Sequence, residues 1–199
     1  MGKAFAQLLN ECGHSVILGC RLPLKSELEA WSNETNISCV SVSDAMQSAD
    51  IILLALPYES ALIEAEKHSH LASKIVIDIS NPVTADLKEM VVGFSTSAAE
   101  QIQKLMPECK VVKAFNTIIA TLVPKAARTV DKVQTLIASD NEMSKKTIIN
   151  LAESLGFDPV DAGALTNARY IEPVAQMTIH LACFQGWGFT VSPSWKAIQ

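Results

Sequence analysis

The chain has 199 residues, 49% of them hydrophobic, and a formal net charge of −5, with a mean hydropathy of +0.23 and a sequence pI near 5.4. An acidic balance argues against a nucleic-acid surface, which is normally basic, and no apolar run reaches the roughly 18 residues that a membrane span needs. The expectation is therefore a cytoplasmic protein with neither nucleic acid nor membrane as partner, long enough to bury a substantial core. The five cysteines, Cys12, Cys20, Cys39, Cys109 and Cys183, are odd in number, scattered and mostly set in apolar runs, which predicts buried, reduced thiols. No zinc-like spacing predicts a metal site, and the first residues lack the charged flank and cleavage site of a signal peptide.

Residues 2–12 place Phe5, Leu8, Leu9 and Cys12 at i, i+3, i+4 and i+7, the period of an amphipathic helix, and Gly13 follows as its C-cap. His14 to Arg21 is a short apolar β-run that ends in a fixed cation. In a dinucleotide-binding βαβ unit the second strand ends beside the adenosine ribose, where an acid favours NAD and an arginine favours the 2′-phosphate of NADP. Arg21 thus points to NADP; Lys25, four residues on, either adds a second charge to that phosphate or is a solvated surface lysine. The glycine fingerprint Gly-x-Gly-x-x-Gly is incomplete, with only its third glycine, Gly2, present. The helix, the Gly-His turn, the β-run and the terminal arginine nevertheless follow in the order that the unit requires.

Residues 37–42 read as a strand and 43–48 as a short helix with Ser43 as N-cap. Ile51 to Leu56 is continuously apolar, as expected of a strand covered on both faces, and Pro57 ends it. A helix over 59–69, a strand over 74–79 closing with Ser80-Asn81-Pro82, and a helix around 96–106 come next. Then come a strand over 110–115 ending in Asn116-Thr117, a strand over 133–138, a helix over 141–155 capped by Gly156, and a helix from Tyr170 to Phe184. This alternation predicts an α/β fold, a Rossmann-type doubly wound parallel sheet, with residues 1–162 as the nucleotide-binding part and 163–199 as a small helical segment.

Ligands of open α/β sheets bind outside the carboxyl ends of the strands. Arg21, Leu56-Pro57, Ser80-Asn81-Pro82 and Asn116-Thr117 are therefore expected to line one crevice, although Asn after a strand is also ordinary turn chemistry. His14, His68, His70 and His180 have structural or solvated surroundings in the pattern, and His180, on the late helix, is nearest to where a second substrate would dock. Trp187, set between glycines, either stacks on a flat ring or packs the tail onto the main domain or a dimer mate. Arg169 and Glu172 are predicted to pair as an i, i+3 bridge at the helix start.

Several stretches carry a family resemblance: Gly2-Lys3-Ala4, Gly13-His14, Gly19-Cys20-Arg21, Lys113-Ala114-Phe115-Asn116-Thr117, and Gly156-Phe157-Asp158-Pro159-Val160-Asp161-Ala162-Gly163 with Arg169 and Glu172-Pro173. Over essentially its whole length the chain resembles the NADPH-dependent deazaflavin-coenzyme (F-420) oxidoreductases, a domain that is also the cytosolic reductase part of six-transmembrane ferric reductases. The resemblance implies NADP binding and hydride transfer between nicotinamide and a flavin or deazaflavin ring, with FMN, FAD or the F-420 coenzyme as the small-molecule redox acceptor. It implies cofactor contacts at Gly2, at Arg21 and Lys25, and at Leu56, Pro57, Asn81, Pro82, Ala114 and Asn116. Cys20 stands where the family has a hydroxyl, and a thiol is the poorer donor. No catalytic acid–base residue is implied, because the cofactors carry the chemistry.

The family's first strand and first two loop glycines have no counterpart here. That strand is central in the order 3-2-1-4-5-6, and since neighbours pair about 4.8 Å apart, its absence leaves two flanking strands roughly 9.6 Å apart with unpaired edges. About ten further residues upstream, another segment or chain in the slot, or a sheet that closes up would each resolve this, and the first is expected. Other readings are an imine reductase or β-hydroxyacid dehydrogenase relative, whose usual long helical extension is not seen in this chain, and a non-catalytic nucleotide-binding or scaffold protein. The apolar, aromatic tail suggests a homodimer.

Overall fold

The computed structural model describes residues 1–21, 25–129 and 131–198, with the side chains of 25–27 outside the description. In chain order the elements are α1 (Gly2–Glu11), β1 (Ile17–Cys20), α2 (Lys25–Thr35), β2 (Ser38–Ser41), α3 (Val42–Ser48), β3 (Ile51–Leu54) and α4 (Tyr58–Lys67). They continue with β4 (Ile75–Asp78), α5 (Ala98–Leu105), β5 (Lys110–Lys113), β6 (Gln134–Ile137), α6 (Glu142–Ser154), β7 (Asp158–Asp161) and α7 (Ala168–Phe184). Local chemistry sets the boundaries. Gly13 takes a left-handed φ of +85° just past α1, a conformation that only glycine adopts without strain. Helix α3 starts earlier than the sequence suggested: the cap is Ser41, not Ser43, because the Ser41 hydroxyl accepts from the Asp44 amide at 3.1 Å and donates to the Asp44 carboxylate at 2.7 Å.

Strands β3, β4 and β5 pair in parallel, and β1 pairs in parallel with β2. Strands β6 and β7 are also parallel to each other and join β5 through an antiparallel bridge between Lys113 and Ala138. Side chains alternate between the two faces of the central strands, as the two-residue period dictates. Ile77 and Val112 enter a cluster with Phe5 and Leu8 of α1 and Ile148 and Ala152 of α6. Val76 and Val111 point the other way, to Met46 of α3, Ala61 of α4 and Ile102 of α5. Both faces are thus covered by helices, which is the doubly wound architecture and explains the unbroken apolar runs.

Strand β1 does not pair with β3. The sheet does not close up; a cavity of about 490 Å³ runs between their edges, with Phe5 and Leu9 of α1 and Ala45 and Met46 of α3 among its walls. Ile17 and Ile51, which open the two strands, are 42% and 37% exposed, unusual for the middle of a doubly wound sheet. Gly19 in β1 lets α3 approach: a Cβ there would lie 3.0 Å from the Ala45 Cβ and 3.2 Å from the Val42 Cα.

Candidate cofactor site at the strand ends

The carboxyl ends of β4 and β5 carry a buried charge cluster. Asp78 and Lys113 close the two strands as register partners, and both are fully buried. The Lys113 Nζ lies 2.8 Å from Asp78 Oδ2 and 2.8 Å from Glu172 Oε1, and donates to the Ser80 carbonyl at 2.6 Å. Asp78 Oδ1 accepts from the Ser80 amide at 2.8 Å. Burial alone would pull the Lys113 ammonium down, but Asp78 and Glu172 together outweigh it and hold the group above the ordinary lysine range. Burial pushes the Glu172 carboxyl up against the pull of Lys113.

Beyond this cluster the two strands turn outward into a polar pair. Asn81 Nδ2 donates to the Asn116 carbonyl and Asn116 Nδ2 donates to Asn81 Oδ1, each at 2.9 Å. Between Ala114 and Asn116 the backbone makes a tight turn, with Phe115 at φ +58°, a left-handed conformation that is rare for a bulky residue. The fold compensates by burying the Phe115 ring 5.2 Å from the Phe5 ring and 5.6 Å from the Phe157 ring, and by giving its amide to the Thr135 hydroxyl at 2.9 Å. Strain held by surrounding packing concentrates at functional sites. Ser80 Oγ, Asn116 Oδ1 and Thr117 Oγ1 are buried here with no hydrogen-bond partner in the protein. A buried polar group left unpartnered is costly, and three such groups are gathered at these strand ends.

The other expected residues are spread over the ends of β1 and β3 and the starts of α1, α2 and α4. Gly2 opens α1 beside the end of β3, where a Cβ in place of its hydrogen would lie 3.5 Å from that of Ala55, and the helix has no side-chain cap and no acidic residue in its first turn. Its first amides therefore suit an anion. Cys20 ends β1 with its thiol directed to the Val40 carbonyl at 3.5 Å, and Arg21 is exposed just beyond it. Lys25 opens α2, but its side chain lies outside the described residues. Leu56 is half-buried, and exposed Pro57 is the N-cap of α4. Asn81 and Asn116 meet directly; Arg21 stands apart from them, at the end of β1 on the far side of the cavity.

Three expectations are corrected. Arg169 and Glu172 do not pair with each other: Arg169 makes a bidentate contact with Glu100 at 2.8 and 2.6 Å, and Glu172 turns inward to Lys113, since both find better partners on neighbouring elements than along their own helix. The Arg169 hydrogen bond holds the Glu100 carboxyl below its ordinary range. Of the five cysteines only Cys109 is buried, whereas Cys12, Cys20 and Cys39 are half-buried and Cys183 is exposed; their apolar neighbours lie at sheet edges and helix rims. Trp187, 64% exposed, does not plug the tail onto the main body, where Trp195 instead pairs its backbone with the Gln134 side chain at 2.7 and 3.2 Å. His68 is buried and bonded to the Glu64 carbonyl at 2.9 Å, and His180 contacts Gln185 at 3.1 Å on the exposed end of α7.

The family description that matches residues 1–82 is NADP oxidoreductase, coenzyme F420-dependent. Over those residues the chain is similar to this family. It is 31% identical to the metalloreductase STEAP3 of Rattus norvegicus over 172 residues, covering 86% of this chain and 34% of that protein. The chain thus spans about a third of the length of the metalloreductases it matches. It is 28% identical to the F420-dependent NADP reductase of Methanocaldococcus jannaschii over 183 residues, covering 84% of this chain and 82% of that one. Among solved structures, a putative F420-dependent NADP reductase from Arthrobacter sp. FB24 superposes with a TM-score of 0.82 at 28% identity, covering 92% of this chain and 90% of the other. Among the described residues no helix is long and apolar enough to cross a membrane.

Proposed function

We propose that the chain is an NADP-dependent oxidoreductase that binds NADP along the carboxyl ends of β1, β3, β4 and β5 and exchanges hydride with a flavin or deazaflavin acceptor. The observation that carries this reading is the set of buried, unpartnered polar atoms on Ser80, Asn116 and Thr117, at the strand ends where open α/β sheets take their ligands. The chemistry present fits a dinucleotide. The uncapped first turn of α1 at Gly2 suits the pyrophosphate, Arg21 with Lys25 and Cys20 the 2′-phosphate, Leu56 and Pro57 the adenosine side, and Asn81, Pro82, Ala114 and Asn116 the nicotinamide side. Bound there, NADPH supplies the hydride; the chain's part is to bind, orient and keep the two rings together. In this reading residues 1–162 form the NADP-binding part, and 163–199 a helical segment beside the acceptor.

The M. jannaschii relative, matched over most of its length, favours coenzyme F420 as acceptor; FMN and FAD are the other candidates. The exposed face of α7 bearing Tyr170, Met177 and Phe184 supports a homodimer, which sedimentation would detect as a mass of two chains and refute as one. The reading places the protein in the cytoplasm. Its direct test is cofactor choice. Arg21→Ala removes a charge-assisted contact worth about 1.5–3 kcal/mol, or roughly 10- to 150-fold in affinity, to a phosphate that NADH lacks. NADPH binding is therefore expected to fall far more than NADH binding, and equal losses refute the assignment.

A further inference from the structure

Glu172 is fully buried on a helix that otherwise presents Ala168, Ile171 and Ala175 to the interior. A carboxylate in such a place is costly unless its oxygens are used. Both are used: Oε1 faces the Lys113 ammonium at 2.8 Å and the Ala99 amide at 3.4 Å, and Oε2 faces the Ala98 amide at 3.1 Å. Those amides open α5, so Glu172 caps that helix from a different one. Lys113 directs its remaining bonds to Asp78 and to the Ser80 carbonyl. One carboxylate from α7 therefore grips the lysine that starts one strand-end loop, at Ala114, and bonds the Ser80 carbonyl at the start of the other, just before Asn81.

We infer that Glu172 is a positioning residue: through Lys113 it sets the Ser80–Asn81 and Ala114–Asn116 segments against the nicotinamide half of NADP, so that the C-terminal helix governs the geometry of the pocket. The inference rests on the cofactor reading above. A second link between the same helices supplies the internal control. Arg169 also ties α7 to α5, through Glu100, but it touches neither loop.

The test measures, by calorimetry on the 199-residue chain, the affinities for NADPH and for 2′,5′-ADP, which offers the adenosine and its 2′-phosphate but no nicotinamide. Glu172→Gln keeps the shape and removes the charge. It is expected to weaken NADPH roughly tenfold, the scale of one charge-assisted hydrogen bond lost from a positioned site, while 2′,5′-ADP changes by no more than about twofold. Arg169→Gln is expected to leave both affinities in place. Equal weakening of both ligands by Glu172→Gln, unchanged binding of both, or the same selective loss in Arg169→Gln overturns the positioning role and leaves the cofactor reading standing. Parent protein that binds neither ligand overturns the cofactor reading and this inference with it. Should Glu172→Gln fail to fold, Glu172→Asp, which keeps the charge but withdraws it by one methylene, is read with the same two ligands. Selective loss of NADPH supports the role, and wild-type affinities overturn it.

Discussion

Replacing Lys113 by Met tests whether the strand-end cluster is ionised as its geometry requires. The substitution nearly preserves volume but removes the cation that sits 2.8 Å from each of two carboxylates, with all three side chains fully buried. Breaking a buried ion pair by deleting one partner costs about 3–5 kcal/mol, because the remaining charge stays desolvated and unpaired. For a protein of this size each kcal/mol moves Tm by about 2–4 °C, so the expected drop at neutral pH is roughly 6–20 °C. The loss should also depend on pH. Burial already pushes the Glu172 carboxyl up against the pull of Lys113; without that pull its folded-state pKa rises further, so the folded variant holds more protons than the unfolded chain over the window above the ordinary carboxylate range. Its stability then falls as pH rises through that window, and its deficit against the parent shrinks toward acid. Urea titrations of parent and variant across pH would measure this, with midpoints compared at constant slope. A loss below about 1 kcal/mol that does not vary with pH would refute the charged assignment.

Three further outcomes follow from the same geometry. Glu100 is held below the ordinary carboxylate range by its hydrogen bond from Arg169, so its contribution is complete above the unfolded pKa of about 4.3 and is lost as pH falls through the folded value; Glu100→Gln should flatten that acid limb, and parallel acid unfolding of both proteins would contradict the pairing. Gly19→Ala puts a Cβ 3.0 Å from the Ala45 Cβ and 3.2 Å from the Val42 backbone, which should cost about 1–3 kcal/mol in thermal unfolding as α3 is pushed off β1; a neutral result would mean that α3 yields freely. Amides on the edges of β1 and β3 that face the cavity should exchange with deuterium faster than those of β4, which is paired on both sides; equal protection would show that the edges are covered.

Much of the fold was readable because its strands are buried on both faces and its helices are amphipathic: Ile51 to Leu54, Ile75 to Asp78 and Lys110 to Lys113 are where the apolar runs put them. Two elements escaped. Helix α2, KSELEAWSNET, has little apolar periodicity, and β7, Asp158–Asp161, contains a proline and two aspartates, so its strand character comes from pairing with β6 and not from local preference. That Asn81 and Asn116 stand at neighbouring strand ends was legible from topology; their hydrogen bonds to each other were not. The Lys113 cluster was not, because its members come from β4, β5 and α7. A signal was present in the matched ends KIVID and KVVK, where an acid and a lysine close neighbouring parallel strands; register turns that coincidence into a salt bridge. The expected i, i+3 pairing of Arg169 and Glu172 failed for the complementary reason, since spacing along one helix says nothing of the partners that α5 and β5 bring to it.

The most direct measurement mixes the 199-residue chain with NADPH while following nicotinamide fluorescence, then adds oxidised F420, FMN or FAD in turn and follows NADPH oxidation. Saturable binding, followed by oxidation of NADPH matched mole for mole by reduction of one of these acceptors, is the predicted result. Saturable binding with no oxidation in the presence of any of the three would contradict the oxidoreductase reading and leave a nucleotide-binding module, and no binding at all would remove the cofactor site itself.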